Sequence, residues 1–530
     1  MKLKNNAMME ISEKRRHARS SQELTANLRV GKWPQRRHFR AKIQNLSANG
    51  FCVEIEPTSI HLSSEPVLIS WLVPPSLAGS TTAIPATMSG VFVHNGVPHT
   101  YGIRLDRLLD EQIRHNQVRW RKILAAGGTA LLAILIGILK VRNVVSFWYS
   151  PLIQIYSLIT AAYILSRIAL SMAYKEPEDR GVLKKVSIIV SVKNEEGHIA
   201  DTIRRCFQSN YPADLLEVLV IDDGSTDRTW TVLSQLEAES PSLRIFRFKR
   251  NKGKRHAMAV GVQEAKGEIV VFMDSDVQVD PEGLYRIVQP FGDPTVGAVA
   301  GHTQVIIEPQ NFISKMESVR YFVSQRIMKA AEGVFGTVTC CPGPFSAYRR
   351  EAVLKVLRPW LEQTFLGSAA TFGDDRSLTN YILRNYRVLY HFGARCGTYV
   401  PDRWPTFFRQ QLRWKKSWVR ETTIASRFMF RENAFAAISY YVGVIVTLVS
   451  PLVVLRAFIY SPLFLSSHAY LPYLAGLFLV FLLLGLIYYY HTQSRYWYYG
   501  LVFAVVYSWF FSLQTYYALL TVRKNHWGTR

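Results

Sequence analysis

The stretch EIVVFMDSD, residues 268–276, decides how the central part of this 530-residue chain folds. Its continuous apolar run, followed at once by Asp274 and Asp276, is the pattern of a buried strand with two acidic side chains at its carboxyl end. Similar runs occur at VSIIVSV, EVLVIDD and GAVAGHT, with helical stretches between them. This alternation predicts a mostly parallel, doubly wound α/β sheet over residues 186–400.

The acidic residues at these strand ends predict a ligand site, because parallel α/β sheets bind ligands outside the carboxyl ends of their strands. Asp274 and Asp276 are spaced to hold a divalent cation, which in turn can hold a diphosphate. Asp223 of DDGSTD ends an earlier strand, where its carboxylate can accept hydrogen bonds from a uracil or ribose. A helix N-cap at Ser225 or Thr226 would explain the same turn.

Two further segments extend this site. Lys254 and Arg255 of NKGKRHA follow a glycine just before a helical run, where they can meet phosphate charge, although a solvated basic turn is the alternative. GDDRSLTNY at residues 373–381 adds carboxylates, and QQLRW at residues 410–414 lies in a basic, aromatic stretch that predicts a helix in a membrane interface. Together these segments predict an enzyme that breaks a nucleotide-sugar bond.

Composition and hydropathy place this chemistry at a membrane. The 63 Lys and Arg against 39 Asp and Glu give a net charge of +24, which calls for an anionic partner. Long apolar runs favour anionic lipids and nucleotide sugars over nucleic acid as that partner. Five cysteines without a C-x-x-C pattern predict reduced thiols facing a cytoplasm.

The apolar runs and their flanking charges predict the membrane topology. Four runs are long enough to cross a bilayer, and basic flanks place both ends of the first pair in the cytoplasm. These runs are residues 123–139, 144–165, 434–455 and 474–490. The last apolar segment, residues 496–520, has basic residues at both ends and predicts a re-entrant or broken hairpin.

The α/β region resembles the processive, inverting membrane glycosyltransferases, most closely hyaluronan synthases and chitin-oligosaccharide synthases. The matching motifs are DDGSTD, NKGKRHA, DSD, GPFSAYRRE, QTFLGSAATFGDDRSLTNY, ARCGTYVP, QQLRWKKSWVRE and the terminal WGTR. The resemblance implies a GT-A fold, UDP-sugar donors (UDP-GlcNAc, UDP-GlcA or both), a growing polysaccharide as acceptor, and Mg²⁺ or Mn²⁺ bound by Asp276 and Asp274. Pro342 and Lys193 depart from the family pattern, so the identity of the sugar stays open.

The resemblance also assigns roles to single residues. It implies that Asp375 is the general base and that WGTR closes over the nucleotide. The residues that would bind the UDP-sugar and the acceptor are Asp223, Lys254, Arg255, Asp274, Asp276, Asp374, Arg376, Gln410, Arg413, Trp414, Trp527, Thr529 and Arg530.

The N-terminal 110 residues carry short alternating runs that predict a separate β-rich domain. RRHAR at residues 15–19 and NLSANG at residues 45–50 resemble the signature of a PilZ domain, the bacterial receptor for cyclic di-GMP. Guanidinium groups can hydrogen-bond to phosphates and stack on guanines. A glycine allows the backbone to approach a ligand closely. The resemblance implies a β-barrel that binds cyclic di-GMP as an allosteric activator through Arg15, Arg19, Asn45, Ser47 and Gly50. RRHFR at residues 36–40 has the same arginine spacing and is assigned to the domain surface.

The complete prediction is a multi-domain, multi-pass protein of a bacterial inner membrane, with its receptor and catalytic domains in the cytoplasm. Its expected parts are a receptor barrel (1–110), a linker helix with two membrane helices (111–172), a glycosyltransferase domain (173–400), an interfacial helix (401–432) and a membrane region (433–530). Two alternatives to a polysaccharide synthase remain: a catalytically silent scaffold that responds to cyclic di-GMP, and an enzyme that adds one sugar to a lipid carrier.

Overall fold

The computed structural model describes residues 25–30, 37–47, 50–55, 66–73, 84–94, 100–105, 126–138, 151–464, 470–506 and 510–523. The chain separates into two compact units, residues 1–128 and residues 129–530.

The first unit contains six antiparallel strands that close into a barrel in the order β1-β2-β3-β6-β5-β4. Its strands are β1 (Thr25–Val30), β2 (Arg37–Ser47), β3 (Gly50–Ile55), β4 (Pro66–Val73), β5 (Ile84–His94) and β6 (Thr100–Leu105). Alternate residues point inward, as Leu28, Val53, Ile69 and Ile103 show by their near-complete burial. The predicted β-rich character of this region is confirmed.

Helices make up most of the second unit. In chain order from the end of the barrel they are α1 (Ala126–Ile138), α2 (Pro151–Ala173), α3 (Ile199–Phe207), α4 (Thr229–Glu239), α5 (Lys254–Glu264), α6 (Gly283–Val288), α7 (Phe312–Phe322), α8 (Ala330–Gly333), α9 (Arg350–Leu361), α10 (Asp374–Leu383), α11 (Trp404–Ala425), α12 (Ala434–Leu455), α13 (Ser461–Phe464), α14 (Tyr470–Thr492), α15 (Tyr499–Val506) and α16 (Ser512–Leu520). Wider π-type turns follow α7 and α12 at Val323–Lys329 and Arg456–Tyr460.

An eight-stranded sheet forms the centre of this unit, in the order β11-β16-β12-β13-β10-β7-β8-β9. Its strands are β7 (Val186–Val192), β8 (Leu216–Asp222), β9 (Leu243–Arg247), β10 (Ile269–Asp274), β11 (Val277–Val279), β12 (Val296–Val305), β13 (Phe345–Arg349) and β16 (Arg387–Thr398). A separate two-stranded hairpin, β14 (Thr364–Phe365) with β15 (Ser368–Ala369), precedes α10.

The α/β prediction is confirmed, but the sheet is less parallel than expected. Strands β10, β7, β8 and β9 are parallel neighbours, as are β12 and β16. Strand β13 is antiparallel to both of its neighbours, and β11 is antiparallel to β16. The residue pattern of a strand does not reveal its orientation, because successive side chains alternate between the two faces of the sheet in either direction.

The two faces of the sheet pack against two hydrophobic cores. Ile188, Val190 and Val220 belong to one core. Ile189 and Ile221, which are immediate sequence neighbours of these residues, belong to the other core, on the opposite face. The adjacent runs VSIIVSV and EVLVIDD therefore carry consecutive apolar residues because both faces of their strands meet a hydrophobic core.

Three described helices are long and apolar enough to cross a membrane: Ile155–Ala173 within α2, Ala434–Phe464 from α12 through α13, and Tyr473–Thr492 within α14. This finding indicates a membrane protein. The first predicted span instead contains the shorter helix Ala126–Ile138. At 1.5 Å per residue that helix extends about 20 Å, less than the hydrocarbon core of about 30 Å.

The second predicted span, residues 144–165, ends earlier than the helix that overlaps it, because α2, described from Pro151, continues to Ala173. Arg167, expected as a flanking charge, lies buried within the helix. Its guanidinium donates to Ser439 Oγ of α12 and lies over the Tyr163 ring, so the charge has partners and the helix continues past it. Within the segment at 496–520 the structure describes two helices, α15 and α16, and the broken-hairpin interpretation stays a prediction.

Candidate active site

The carboxyl ends of β7, β8 and β10 meet at one edge of the sheet. In the strand register, Val192 pairs with Asp222 and Ser191 pairs with Asp274. The acidic ends that the sequence analysis singled out therefore lie side by side. This proximity follows from parallel neighbouring strands, all of which end at the same edge.

Asp222 and Asp223 organise the turns at this edge. Asp222 accepts a hydrogen bond from the Ser225 amide at 2.8 Å. Asp223 accepts from the amides of Lys252 at 2.6 Å and Gly253 at 2.9 Å, so its carboxylate holds the loop that precedes α5. Burial raises the pKa of Asp223, and these amides oppose that rise. Contact of Asp223 with a nucleoside stays a prediction.

The turn after β8 leaves little room for a side chain. Gly224 has a φ of +72°, and a Cβ built there would lie 2.9 Å from the Arg250 carbonyl carbon. The N-cap alternative for Ser225 is not what the structure shows, because α4 begins at Thr229 with Arg228 as its N-cap residue. Ser225 Oγ instead accepts from the Asn194 amide at 3.0 Å and joins the turns after β7 and β8.

Lys254, the first residue of α5, forms an ion pair with Asp274 at the end of β10. Burial opposes the charge of the lysine, but Asp274, Asp374 and Asp375 outweigh burial and raise its pKa. Gly343 borders the pair, since a Cβ there would lie 3.4 Å from Asp274 Oδ2 and 3.5 Å from Lys254 Nζ. Acids from two different segments thus act on one ammonium group, Asp274 by direct contact and Asp374 and Asp375 through their charge.

Asp274 and Asp276 fit a cation that is bound together with a diphosphate. Among the described residues, no group of three or more His, Cys, Asp and Glu side chains is arranged to hold a metal ion. Mg²⁺ and similar hard cations nevertheless bind through one or two carboxylates, with substrate phosphate oxygens completing the shell. Asp274 is part-exposed, and Asp276, two residues later, is buried. These two carboxylates could supply the protein ligands of such a cation.

Arg255, predicted to meet the diphosphate, is buried in an ion pair with Asp374. Its Nε lies 2.7 Å from Asp374 Oδ1, and its Nη1 donates to the Trp360 carbonyl at 2.9 Å. Both side chains face the interior between α5, α9 and α10. This arrangement favours a structural role for the pair, while the predicted contact with substrate remains untested.

Asp375, the predicted general base, lies in the first turn of α10. Its Oδ2 is 3.6 Å from the Sγ of Cys340. Burial, and next the charge of Asp375, raise the pKa of the Cys340 thiol to about 11. The sequence analysis missed this neighbour, because 35 residues separate the two and the motif CCPGP carries no signal of the contact.

Helix α11 carries Gln410, Arg413 and Trp414, in agreement with the predicted basic, aromatic helix. The Arg320 guanidinium lies 5.1 Å from the Trp414 ring and is held by Glu317 through two bonds of 2.6 Å. The Oε1 atom of Gln410 is buried and, within the part of the chain described, has no hydrogen-bond partner. A buried amide oxygen in that condition can accept a hydrogen bond from a ligand hydroxyl.

A cavity of about 120 Å³ lies next to Arg376, the residue that follows Asp375. Its lining residues come from α10, α11 and the apolar helices α2 and α12, among other segments. Its lining mixes charged, hydroxyl and aromatic groups, including Arg167, Glu332, Thr339, Arg376, Trp418 and Tyr440. The cavity therefore joins the predicted catalytic segment to the membrane helices.

The remaining predicted site residues lie outside the described part of the chain or in the first unit. Arg15, Arg19, Trp527, Thr529 and Arg530 lie outside the described residues. Asn45 and Ser47 end β2 and Gly50 begins β3, with Ser47 and Gly50 paired across the hairpin of the barrel. Of the alternative RRHFR segment, Arg37–Arg40 form the start of the same β2 strand, and Arg40 is exposed.

Comparison with known proteins identifies the family. Residues 187–357 match the family described as Glycosyl transferase family 2. Hyaluronan synthase of Streptococcus pyogenes is 33% identical over 297 residues, which cover 55% of this chain and 70% of that protein. An N-acetylglucosaminyltransferase of Azorhizobium caulinodans is 32% identical over 248 residues, 46% of this chain and 62% of that protein.

A solved mannosyltransferase from Pyrobaculum calidifontis superposes with a TM-score of 0.46 at 22% identity, covering 67% of this chain and 99% of that one. The sequence relatives, the strand-end carboxylates and the apolar helices agree on one class of protein. The chain belongs to glycosyl transferase family 2, as a membrane-associated glycosyltransferase related to hyaluronan synthase and rhizobial N-acetylglucosaminyltransferase.

Proposed function

We propose that this protein is a processive, inverting β-glycosyltransferase that polymerises UDP-sugars into hyaluronan or a hyaluronan- or chitin-like polysaccharide and passes the product across the membrane. The observation that carries the proposal is the ion pair of Lys254 with Asp274, which lies close enough to Asp374 and Asp375 for their charges to raise the pKa of the lysine. A diphosphate held at Asp274 and an acceptor held at Asp375 would then lie within one pocket. The relatives, named for hyaluronan synthesis and N-acetylglucosamine transfer, support UDP-sugar donors.

In this reaction Asp375 accepts the proton of the acceptor hydroxyl as its oxygen attacks the sugar C1. Attack from the face opposite UDP inverts the anomeric centre, and the C1–O bond to UDP breaks with its electrons passing to the diphosphate. Lys254 contributes a positive charge beside that diphosphate. A Mg²⁺ or Mn²⁺ ion held by Asp276 and Asp274 would neutralise further charge on the leaving group.

Binding of the acceptor falls to helix α11. Trp414 offers an aromatic face for stacking on a sugar ring, which would hold the acceptor in line for attack. The buried Gln410 oxygen can take a hydrogen bond from a sugar hydroxyl. We infer that Arg413 and Arg376 bind the donor or acceptor from the same side, and that the terminal Trp527, Thr529 and Arg530 close over the nucleotide.

Passage of the polymer is supported by the cavity beside Arg376. Its aromatic and hydroxyl lining suits a carbohydrate, and it borders α2 and α12, two of the helices that can cross a membrane. A single-addition enzyme needs no such route for its product. We therefore favour processive synthesis in a bacterial inner membrane, with the N-terminal barrel and the α/β catalytic domain on the cytoplasmic side.

We propose in addition that the N-terminal barrel is a PilZ-like receptor through which cyclic di-GMP activates synthesis. Two observations support this regulation: six antiparallel strands close into a barrel, and NLSANG spans the β2–β3 hairpin. The rival, a silent scaffold, would have no need of intact acidic motifs. Here the strand-end acids and the GDD segment are present and lie together.

The deciding experiment supplies purified protein in lipid nanodiscs with radiolabelled UDP-GlcNAc and UDP-GlcA, singly and paired, in the presence of cyclic di-GMP. We expect a high-molecular-weight product whose glycosidase sensitivity identifies the polymer. A hyaluronidase-sensitive product formed from the pair alone would identify hyaluronan. Label found in a lipid-linked monosaccharide, or no transfer from any UDP-sugar, would overturn the proposal.

A further inference from the structure

Arg420 and Glu421 form a buried ion pair near the end of α11, and the reaction proposed above gives them no part. They are 3% and 1% exposed, and Arg420 Nε lies 2.7 Å from Glu421 Oε1. Removal of two charges from water costs several kcal/mol per ion, as an order of magnitude, unless hydrogen bonds compensate. The hydrogen bonds that compensate for this burial show which segments the pair holds in place.

The pair holds both ends of the segment that leads into and forms α10. Glu421 accepts from Gln363 Nε2 and from Asn380 Nδ2, each at 3.1 Å. Arg420 Nη2 donates to the Phe372 carbonyl, three residues before Asp375. One ion pair on α11 thus contacts the chain before, at and after the start of α10.

The turn directly before α10 is pressed against α11. Gly373 has a φ of +73°, and a Cβ built there would lie 1.9 Å from Ser417 Oγ. Any side chain at this position would force the two helices apart. The start of α10 therefore has one closely defined position relative to the helix that carries Gln410 and Trp414.

The same network reaches α5. The Oε1 atom of Gln363 accepts from Ser377 Oγ at 2.5 Å and lies 3.3 Å from Arg255 Nη1, while its amide group donates to Glu421. Arg255 follows Lys254 and pairs with Asp374, which precedes Asp375. The network therefore joins the helices that carry the phosphate-side lysine, the base and the acceptor-side tryptophan.

We propose that Arg420 and Glu421 are positioning residues that set the distance between Asp375 and the acceptor site on α11. This inference rests on the proposed function of Asp375 and Trp414. The pair acts through the backbone of α10 and does not itself touch the reacting atoms. Because a displacement of about 1 Å in a reacting group can cost on the order of a hundredfold in rate, small shifts of α10 matter for transfer.

The test separates positioning from stability. The double variant Arg420→Met, Glu421→Leu removes both charges at similar volume. We expect the protein to fold with a lower Tm, because the Gln363 and Asn380 amides and the Phe372 carbonyl lose buried partners, and its affinity for UDP to stay within about twofold. We expect kcat for sugar transfer to fall by about a hundredfold.

Single variants provide the control. Glu421→Gln leaves Arg420 buried without its carboxylate and should lower kcat similarly. Glu351→Gln removes one charge from an exposed pair with Lys355 in the same unit and should leave kcat unchanged. Hydrogen–deuterium exchange of the peptide 372–380 in the full-length protein should rise in the double variant and stay at the wild-type level in Glu351→Gln.

A double variant with wild-type kcat and unchanged exchange would overturn the inference, as would one whose UDP affinity and kcat fall together. Failure of the proposed function is recognised separately, because wild-type protein would then transfer no sugar. The exchange measurement still decides whether the pair holds α10, since it needs no turnover.

Discussion

Cys340 Sγ lies 3.6 Å from Asp375 Oδ2, so a thiol borders the carboxylate that is expected to take the acceptor proton. Burial and the charge of Asp375 keep this thiol protonated at neutral pH, with a pKa of about 11. A protonated thiol is a weak donor and can face the carboxylate without repelling it. A thiolate in the same place would put two negative charges in contact.

This contact predicts slow alkylation of Cys340. Its thiol pKa is raised from about 9.0, so the protonated form favours the fold below pH 9, and that contribution is lost as the pH rises toward about 11. The thiolate is the nucleophile, so iodoacetamide should modify Cys340 at pH 8 at least tenfold more slowly than in the unfolded protein. Mass spectrometry of the Cys340 peptide measures this rate. Equal rates in folded and unfolded protein would contradict the contact.

Replacement of Asp375 by Asn should abolish polymer formation while leaving UDP binding nearly intact. The amide keeps the shape of the side chain but cannot accept the proton, and loss of a general base typically costs about a hundred- to ten-thousandfold in rate. Incorporation of labelled sugar and calorimetry with UDP measure the two effects. Asp201→Asn, which alters an exposed pair with Arg205, is the control. Elongation near the wild-type rate in Asp375→Asn would show that the base is another residue.

Turnover should require a divalent cation, and Asp276→Ala should be as inactive as the chelated wild type. Asp274 and Asp276, at the carboxyl end of β10, can contribute ligands to the cation, and the substrate phosphates can supply others. Titration of UDP with and without Mn²⁺ should show a metal-dependent gain in affinity for wild type and none for Asp276→Ala. Full activity in excess EDTA would rule out this arrangement.

Arg320→Lys should weaken acceptor binding without affecting UDP affinity. Arg320 is fixed by two bonds to Glu317 and stacks on Trp414, an arrangement that depends on the planar, forked guanidinium. We expect the apparent KM for an oligosaccharide acceptor to rise about threefold to tenfold, since a cation–π contact contributes on the order of 1 kcal/mol. The exposed Arg205→Lys is the matched control. An unchanged acceptor KM would show that Trp414 does not need this support.

Cyclic di-GMP should activate synthesis through Arg15 and Arg19. Removing either arginine takes away a bidentate, charge-assisted interaction and should weaken binding by about 1.5–3 kcal/mol. The double Ala variant should therefore not respond to the dinucleotide. Its basal turnover should persist, because no catalytic group has changed. Arg36→Ala with Arg40→Ala provides the comparison and should have a much smaller effect, as measured by dinucleotide titration. Equal activity with and without the ligand would refute this regulation.

Much of the site could be predicted from the sequence because its signals are local. A buried strand needs an unbroken apolar run, and parallel strands end at one edge, so EIVVFMDSD and EVLVIDD were enough to bring Asp274 and Asp223 to the same place. The basic and aromatic character of α11 was equally visible. The continuation of α2 past Arg167 was not, because one partner of this charge, Ser439, lies on a helix distant in sequence.

Local sequence alone determined which acidic residues lie at the carboxyl ends of the strands. That depends on the spacing of apolar residues and on the turn residues that follow them. Tertiary packing decided which side chains are partners. Arg255 and Asp374 are 119 residues apart, and Glu421 is 58 residues from Gln363. The direction of β13 was likewise set by its neighbours. Its side chains alternate between the two cores in the same way whichever direction the strand runs. Partner choice and strand direction depend on contacts between segments remote in sequence, which no local periodicity records.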